Sequence, residues 1–357
     1  MQRAYGVVNK NKIAEDLLSW YDINARKLPW RIPPLESKTG VLPNPYYIWM
    51  SEVMLQQTTV AAVKEYFLKF IALWPTVFDM ANAKDEDVMA AWAGLGYYAR
   101  ARNLLKCARV IKNQYDGKFP SNEKDLLSLP GIGPYTAAAI MSIAFNKKAI
   151  VLDGNIERVM SRIHAVQEPL PASKKALWLL ASDLTPENRC GDYAQAVMDL
   201  GATICTPRSP KCTRCPWISN CLGLSQGIAG ELPKKIPKLK KPVRVGTVYV
   251  AINDDHSMLL ERRSKKGLLG GMLGWPGSEW AIIPTDHLEP IEADWRSVNE
   301  PVRHTFTHFH LDLTIKIASN VKSVPRVGKF ISKDEFNPND LPTVMRKVWD
   351  KASEFLE

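Results

Sequence analysis

Four of the six cysteines of this 357-residue chain crowd between residues 205 and 221. Their spacing is Cys205-x6-Cys212-x2-Cys215-x5-Cys221. Thiolates at such short separations suit either a tetrahedral zinc ion or an iron–sulfur cluster, and the spacing leaves both open. The crowding favours metal ligation over a disulfide framework. We expect the bound group to fasten the end of a helical domain rather than to act in redox chemistry.

A carboxyl group in an apolar setting is the second chemical candidate. The segment Tyr46–Val60 is predicted to be one helix, in which Glu52 shares a face with Ile48, Trp49 and Leu55. Removing a carboxyl from water raises its pKa, as a general acid working near neutral pH requires. A surface glutamate on an ordinary helix is the alternative that this segment alone leaves open.

The segment Leu129–Ile140 reads LPGIGPYTAAAI and joins two predicted helices. Gly131 ends the first helix, Gly133 allows a ligand to approach the backbone closely, and Pro134 suits the first turn of the second helix. Two glycines around one apolar residue favour a helix-hairpin-helix element, which grips the DNA backbone without reading its sequence. A plain tight turn is the competing interpretation.

Asp153, Gly154 and Asn155 precede an apolar helical run. The simplest interpretation is that Asp153 caps a helix. The functional alternative uses the same position, because a carboxylate at a helix N-terminus stays ionised and can face a developing cation.

The elements that must hold these groups change character along the chain. From residue 11 to about 222 the apolar residues recur with helical spacing, which predicts a helical domain over residues 1–230. Residues 231–244 contain six basic side chains, one acid and three prolines, and are predicted to form an extended linker. Residues 245–357 form a second domain in this division.

The second domain is predicted to be α+β. Thr247–Ile252 and Phe309–Ile317 have the composition of strands, and the latter alternates apolar with polar residues as a half-buried strand requires. Apolar residues from Leu341 to Ala352 form one stripe of a closing helix.

The net charge is +10 and the pI is about 9.2, which favours a polyanionic partner. Hydrophobic residues make up 46% of the chain, enough for sizeable cores, so wholesale disorder is excluded. Neither a membrane span nor a signal peptide is recognisable, and we expect a cytoplasmic protein without a membrane partner.

These segments, in this order, resemble the adenine DNA glycosylases of the MutY family, within the helix-hairpin-helix glycosylase superfamily. The resemblance runs from about Trp20 to the chain end and is dense in LPWR, SEVMLQQT, GLGYYARARNL, LPGIGPYTA, LDGN and the cysteine cluster. It implies a mostly α fold with the hairpin at about 126–145 and an iron–sulfur loop at 205–221. An α+β MutT-like domain of the Nudix fold, without hydrolase activity, would follow.

Two positions separate the branches of this superfamily. The endonuclease III branch has a lysine nucleophile where this chain has Tyr135, and it lacks a glutamate matching Glu52. The resemblance therefore implies base removal without strand cleavage. An endonuclease III-type glycosylase and lyase acting on oxidised pyrimidines, and an iron–sulfur DNA-binding protein without catalysis, are the alternatives.

The resemblance also implies a substrate and a mechanism. The substrate is adenine mispaired with 8-oxoguanine or guanine in duplex DNA, and the protein is a nucleoid-associated monomer carrying a [4Fe-4S] cluster. Glu52 protonates the base, and Asp153 either stabilises the sugar cation electrostatically or bonds to it transiently before water attacks. Tyr135 positions Glu52 or its water, and Asn155 hydrogen-bonds near Asp153.

Further residues are implied to bind DNA. Trp30, Arg31 and Gln195 would line the adenine pocket, while Gln57 and Tyr97 would wedge into the base stack. The remaining members of the implied binding set are Thr58 and Leu95, which lie near the lesion, and the glycines Gly96, Gly131 and Gly133.

In the second domain, Phe306-Thr307-His308 matches a Phe-Ser-His sequence with which the family reads 8-oxoguanine, and threonine replaces the serine here. The glutamate that a Nudix hydrolase needs six residues after its key glycine is missing, because no candidate glycine is followed there by a metal ligand. A last departure from the family is the stretch Ile32–Pro45, which is longer than usual and is expected to loop out.

Overall fold

The structure is a computed structural model that describes residues 10–237, 240–264, 267–285 and 287–356. These residues divide after Pro237 into two compact units. The helices of the first unit are α1 (Lys10–Asn24), α2 (Pro34–Ser37), α3 (Pro45–Leu55), α4 (Val60–Leu73), α5 (Val77–Asn82), α6 (Asp85–Ala91), α7 (Ala99–Tyr115), α8 (Glu123–Ser128), α9 (Pro134–Ala139), α10 (Gly154–Ile163), α11 (Lys174–Leu184), α12 (Cys190–Thr203) and α13 (Leu222–Ser225). A π-helical turn, Ile140–Ala144, continues α9.

The prediction of a single helix from Tyr46 to Val60 is wrong at its C-terminal end. Helix α3 stops at Leu55, Gln57 adopts a left-handed backbone with φ of 60°, and the Thr59 side chain caps α4. Threonine is favoured at helix N-caps, which explains the break. Helix α3 is apolar nearly all round and is buried from Ile48 to Met54, so it carries Glu52 into the interior.

The helix-hairpin-helix element predicted at 126–145 is present. Helix α8 ends at Ser128, and α9 begins at Pro134 with Gly133 as its N-cap. Gly131 has φ of 79°, a conformation that favours glycine, and a Cβ there would lie 2.8 Å from the Cβ of Asn103.

Helix α12 is the central helix of this unit and is buried over most of its length. A Cβ added to Gly201 would lie 2.7 Å from the Cβ of Asn155, which is closer than real side chains approach. The missing side chain therefore lets α12 pack directly against the start of α10. This contact brings the side chains of α12 next to Asp153.

The stretch Ile32–Pro45, which was expected to loop out, is exposed over most of its length and has one short helical turn. It forms the short helix α2, and Pro34 is buried. Leu42 and Pro43 line a small cavity together with Gln195. Its apolar side chains Leu35, Val41 and Leu42 remain exposed.

The predicted linker 231–244 is extended only in part. Glu231 ends a short 3₁₀ turn, and Leu170 N donates a hydrogen bond of 2.8 Å to the Lys234 carbonyl. Val243 and Arg244 already belong to the first strand. Residues 238 and 239 lie outside the described residues.

The second unit is α+β, as predicted. Its seven strands are β1 (Val243–Asn253), β2 (Met258–Arg262), β3 (Leu273–Gly274), β4 (Arg296–Ser297), β5 (Val302–Thr305), β6 (His310–Val321) and β7 (Lys329–Ile331). They form one sheet of order β3-β2-β1-β6-β4, in which β5 also pairs with β6 and β7 with β2. The two predicted strands correspond to β1 and β6, which are parallel neighbours.

Each face of this sheet covers its own core. Leu311, Leu313 and Ile315 pack with helix α14 (Thr343–Ala352) on one face, whereas Ala318 and Ala251 belong to a smaller cluster on the other. Within the described ranges, no helix combines the length and hydropathy that crossing a bilayer would require.

Candidate active site

A cavity of about 830 Å³ opens into the helical unit. Side chains from separate segments line it, and they include nine of the residues singled out from the sequence. These nine are Trp30, Arg31, Glu52, Gln57, Thr58, Tyr135, Asp153, Asn155 and Gln195.

Glu52 lies in the wall of this cavity with only 5% of its surface exposed. The Tyr135 hydroxyl donates a hydrogen bond of 2.8 Å to its Oε2 atom. Burial raises the pKa of Glu52 to about 7, and the negative charge of Asp153 acts in the same direction. The Tyr135 hydrogen bond and the Arg31 charge oppose this rise. Glu52 can therefore hold a proton near neutral pH, as a general acid must.

Asp153 is the N-cap of α10, so the simple interpretation of its sequence is correct. Its Oδ1 atom accepts a 2.7 Å hydrogen bond from Ile156 N, and its Oδ2 atom accepts one of 2.9 Å from Asn155 Nδ2. Capping and lining the cavity are compatible, because the carboxylate faces both the helix and the open space.

Asn155 is held in turn by a basic side chain. Arg158 Nη2 donates a hydrogen bond of 2.9 Å to Asn155 Oδ1, and Arg158 Nε donates one of 2.8 Å to the Cys205 carbonyl. The cysteine loop and the Asp153 carboxylate are thereby joined by consecutive hydrogen bonds. Sequence reasoning missed Arg158.

Asp199 of α12 is another residue that the sequence did not single out. Its side chain is fully buried and accepts hydrogen bonds of 2.6 Å from Arg26 Nε and 2.8 Å from Arg31 Nη1. The buried pair fixes Arg31 against the cavity wall. An acidic residue inside the otherwise apolar run YAQAVMDLGA was the available signal.

Lys174, at the start of α11, also lines the cavity. Its Nζ atom lies 3.4 Å from Oε1 of Glu157, and its side chain is largely exposed. Thus an amine lines this site, although the resemblance places Tyr135, not a lysine, at the position of the endonuclease III nucleophile. No sequence pattern indicated Lys174.

Leu95, Gly96 and Tyr97 form a separate loop outside the cavity lining. Leu95 is buried, while Tyr97 is about half exposed and has a left-handed backbone with φ of 50°. Arg100 ties this loop to the end of α3, since it donates hydrogen bonds to the Leu95, Gly96 and Met54 carbonyls. A further hydrogen bond of 3.0 Å joins it to Thr58 Oγ1. Sequence reasoning missed Arg100.

The four cysteines of the cluster line one small apolar cavity. Arg162 Nη1 donates to Cys205 Sγ at 3.3 Å, so this sulfur is in contact with a positive charge. Among the described residues, no three His, Cys, Asp or Glu side chains have the arrangement of a single-ion site. Four thiol donors around one apolar space nevertheless fit the chemistry of an iron–sulfur group.

In the second unit, the sequence match Phe306-Thr307-His308 lies in the connection between β5 and β6. Phe306 N donates a 2.9 Å hydrogen bond to the Phe309 carbonyl, which closes the turn. Thr307 and His308 are exposed at its tip, and Phe306 is half-buried. His304 and His310, on either side of this match, belong to β5 and β6.

Comparison with known proteins identifies both units. Residues 50–181 match the model of the HhH-GPD superfamily base excision DNA repair proteins, and residues 247–351 match that of the NUDIX domain. An adenine DNA glycosylase of Buchnera aphidicola subsp. Schizaphis graminum is 31% identical over 343 residues, covering 93% of this chain and 96% of that protein. The chain belongs to the adenine DNA glycosylase family. It is a DNA N-glycosylase of base excision repair, and DNA is its partner.

Two further relatives of this glycosylase support the assignment. The Homo sapiens adenine DNA glycosylase is 34% identical, with 93% of this chain and 72% of the human protein covered. A solved structure of a thermostable thymine-DNA glycosylase is 33% identical with a TM-score of 0.53, and it covers 61% of this chain and 97% of its own. The expected helix-hairpin-helix fold with a following Nudix-like domain is thus confirmed.

Proposed function

We propose that this glycosylase removes adenine paired with 8-oxoguanine or, less favourably, with guanine in duplex DNA, and leaves the strand intact. The observation that carries the proposal is the buried Glu52, whose pKa is raised to about 7 beside Tyr135 and Asp153. The cavity of about 830 Å³ offers room for an extruded purine nucleotide. Membership of the adenine DNA glycosylase family indicates that the purine is adenine.

In the proposed mechanism, Glu52 donates its proton to N7 of the extruded adenine. The glycosidic bond then breaks, its electron pair leaves with the base, and the sugar becomes an oxocarbenium-like cation. Asp153 stabilises this cation, as the second carboxylate does in glycoside hydrolysis. Water attacks C1′ and passes its proton to the Glu52 carboxylate, which yields the abasic sugar and restores the acid, while Tyr135 keeps the Glu52 carboxyl oriented through its hydrogen bond.

Trp30, Arg31 and Gln195 form the base pocket in this proposal. Arg31 is pre-organised because the buried Asp199 holds its guanidinium. Gln57 and Tyr97 wedge into the base stack next to Thr58 and Leu95. Both wedge residues have left-handed backbones, and Arg100 braces the loops that carry them.

Cys205, Cys212, Cys215 and Cys221 hold a [4Fe-4S] cluster in this proposal. The cluster fastens the loop that follows α12. Iron and sulfide analysis of protein purified without oxygen tests the assignment, and stoichiometric zinc without iron or sulfide would contradict it.

The second unit recognises 8-oxoguanine through Phe306, Thr307 and His308. It does not hydrolyse nucleotides, because Leu273, Pro276, Gly277 and Trp280 occupy the positions where a Nudix hydrolase would place its metal-binding glutamate. The protein acts as a monomer on nucleoid DNA, with Gly96, Gly131 and Gly133 at backbone contacts.

An excision assay tests the proposal. A duplex with adenine opposite 8-oxoguanine is incubated with the protein and then heated in alkali, which breaks the strand at abasic sites. With 8-oxoguanine opposite adenine, we expect strand breaks only after alkali. The breaks should accumulate more slowly when guanine is opposite adenine, and none should form when thymine is opposite adenine. Absence of breaks after alkali in the 8-oxoguanine duplex would refute the proposal.

A lyase activity is the second candidate, and the Lys174 amine in the cavity wall is the observation that favours it. Breaks that form before alkali would support an endonuclease III-type reaction. Lys174→Ala should then abolish them, whereas Lys175→Ala, which changes the neighbouring exposed lysine, should not.

A further inference from the structure

Five side chains in the second unit form an unbroken series of aromatic and cation–π contacts, here called the ring ladder. The Arg244 guanidinium lies 4.4 Å from the ring centre of Phe309, and the Phe309 and Phe306 rings are 4.9 Å apart. Phe306 is 5.8 Å from Trp280, and the Arg263 guanidinium lies 4.6 Å from the Trp280 ring. An arginine therefore stands at each end of three aromatic rings.

The ring ladder includes Phe306, the first residue of the proposed reading tip. Thr307 and His308 follow directly and are exposed. Arg244 is exposed and Arg263 half-buried, so both ends of the ladder reach solvent. Phe309 of the ladder is buried, so the solvent-exposed surface consists of the two arginines, the partly exposed Phe306 and Trp280, and the tip.

The charges around this surface are mainly positive. Lys241 Nζ donates a hydrogen bond of 2.8 Å to the Phe306 carbonyl, and Lys347 Nζ donates one of 3.4 Å to the Arg303 carbonyl. Asp312 is neutralised by Arg303, which binds both of its oxygens at 2.7 and 2.6 Å.

Glu261 is the acid whose charge acts on Arg263. The lysines and Arg244 still leave the surface with an excess of positive charge, which suits a polyanion.

We propose that Arg244 and Arg263 bind phosphates of the DNA strand that carries 8-oxoguanine. This inference rests on the proposed reading function of the tip. A guanidinium that stacks on a ring uses its flat face, so its N–H donors remain at the edge for phosphate oxygens. Stacking also holds the side chain in place, so binding costs less conformational freedom. Such phosphate contacts fix the register in which Thr307 and His308 meet the base.

The test measures how salt affects DNA binding by the full-length protein. The probe is a duplex with 8-oxoguanine opposite a tetrahydrofuran abasic-site analogue, which has no base to excise. Removing one arginine–phosphate interaction should reduce the slope of log Kd against log salt by about 0.9. We expect this reduction for Arg244→Gln and for Arg263→Gln, and roughly twice as much for the double variant.

Two matched variants separate phosphate binding from other effects. Arg326→Gln removes the same charge from an exposed arginine that donates to the Glu289 carbonyl, outside the ring ladder, and should leave the slope unchanged. Arg244→Lys keeps the charge and should keep most of the slope. An equal reduction with Arg326→Gln would show a general charge effect and overturn the proposal.

A purely structural role gives a different result. If the ring ladder only stabilises the connection between β5 and β6, Arg244→Gln and Arg263→Gln lower Tm without changing the slope, and the proposal is wrong. Repeating the titrations with guanine in place of 8-oxoguanine tests the reading function separately. The arginine variants should lose the same slope with both duplexes, because phosphate contacts do not depend on the base. If the wild-type protein binds both duplexes equally well, it lacks the reading function.

Discussion

The cavity around Glu52 and the tip around Thr307 use polar groups in opposite surroundings. Glu52 is buried, and its partners Tyr135 and Asp153 are held by hydrogen bonds. Thr307 and His308 are exposed on a turn between two strands. Proton transfer needs a group whose pKa is shifted by burial, whereas recognition of a base needs donors and acceptors that a ligand can reach.

Because one region is buried and the other exposed, substitutions in the two regions should impair different properties of the protein. Changes in the buried cavity should alter the rate of bond cleavage and its pH dependence. Changes at the exposed tip should alter the choice between substrates and leave the chemical step intact.

Replacing the buried acid should have the largest effect. Glu52→Gln keeps the size of the side chain but cannot supply the proton, so the single-turnover rate of adenine excision should fall by about 10²–10⁴-fold. DNA affinity should be nearly unchanged in a binding titration. Glu65→Gln alters an exposed glutamate of α4 and serves as the control. Excision by Glu52→Gln at the control rate would rule out the assigned role.

Asp153 allows capping to be separated from catalysis. Asparagine caps helices as well as aspartate does, so Asp153→Asn should keep Tm while the single-turnover rate falls by about 10²–10³-fold. Asp153→Ala should lose the same activity and, in addition, about 1 kcal/mol of unfolding free energy. A rate that follows stability across both variants would indicate that Asp153 is only a cap.

The pH profile tests the link between Glu52 and Tyr135. Glu52 must be protonated to act, so the single-turnover rate should be constant only well below pH 7 and should fall to half its maximum near the Glu52 pKa of about 7. The Tyr135 hydrogen bond lowers that pKa. Tyr135→Phe should therefore move the fall to higher pH.

A shift to lower pH, or a uniform loss of rate at every pH, would contradict this account. Tyr115→Phe, on α7 and outside the cavity lining, provides the comparison variant.

The exposed tip should show the smallest effect. Thr307→Ala removes one hydroxyl, which is worth about 0.5–1.5 kcal/mol, so the preference for 8-oxoguanine over guanine should decline by roughly 2–10-fold. Thr307→Ser should retain the preference. The ratio of excision rates on the two duplexes measures it. An equal loss of rate on both duplexes would place Thr307 in catalysis and abolish the distinction between the two regions.

Local patterns were sufficient for the features that depend on neighbouring residues. The hairpin followed from Gly131 and Gly133, the strand β6 from alternation, and the apolar surroundings of Glu52 from residues one turn away. The end of α3 was predicted wrongly, because Thr59, a favoured N-cap residue, was taken as part of the same helix and the left-handed conformation of Gln57 has no clear sequence signature.

The sequence by itself determined the chemical groups of this glycosylase: the acid, the capping carboxylate and the four thiols. Only the tertiary structure decided which charges surround them. Arg26 meets Asp199 across 173 residues of sequence, and Arg100 meets Met54 and Thr58 across more than one helix. A buried charge must find a partner wherever the fold provides one, and chain packing, not local spacing, determines that partner.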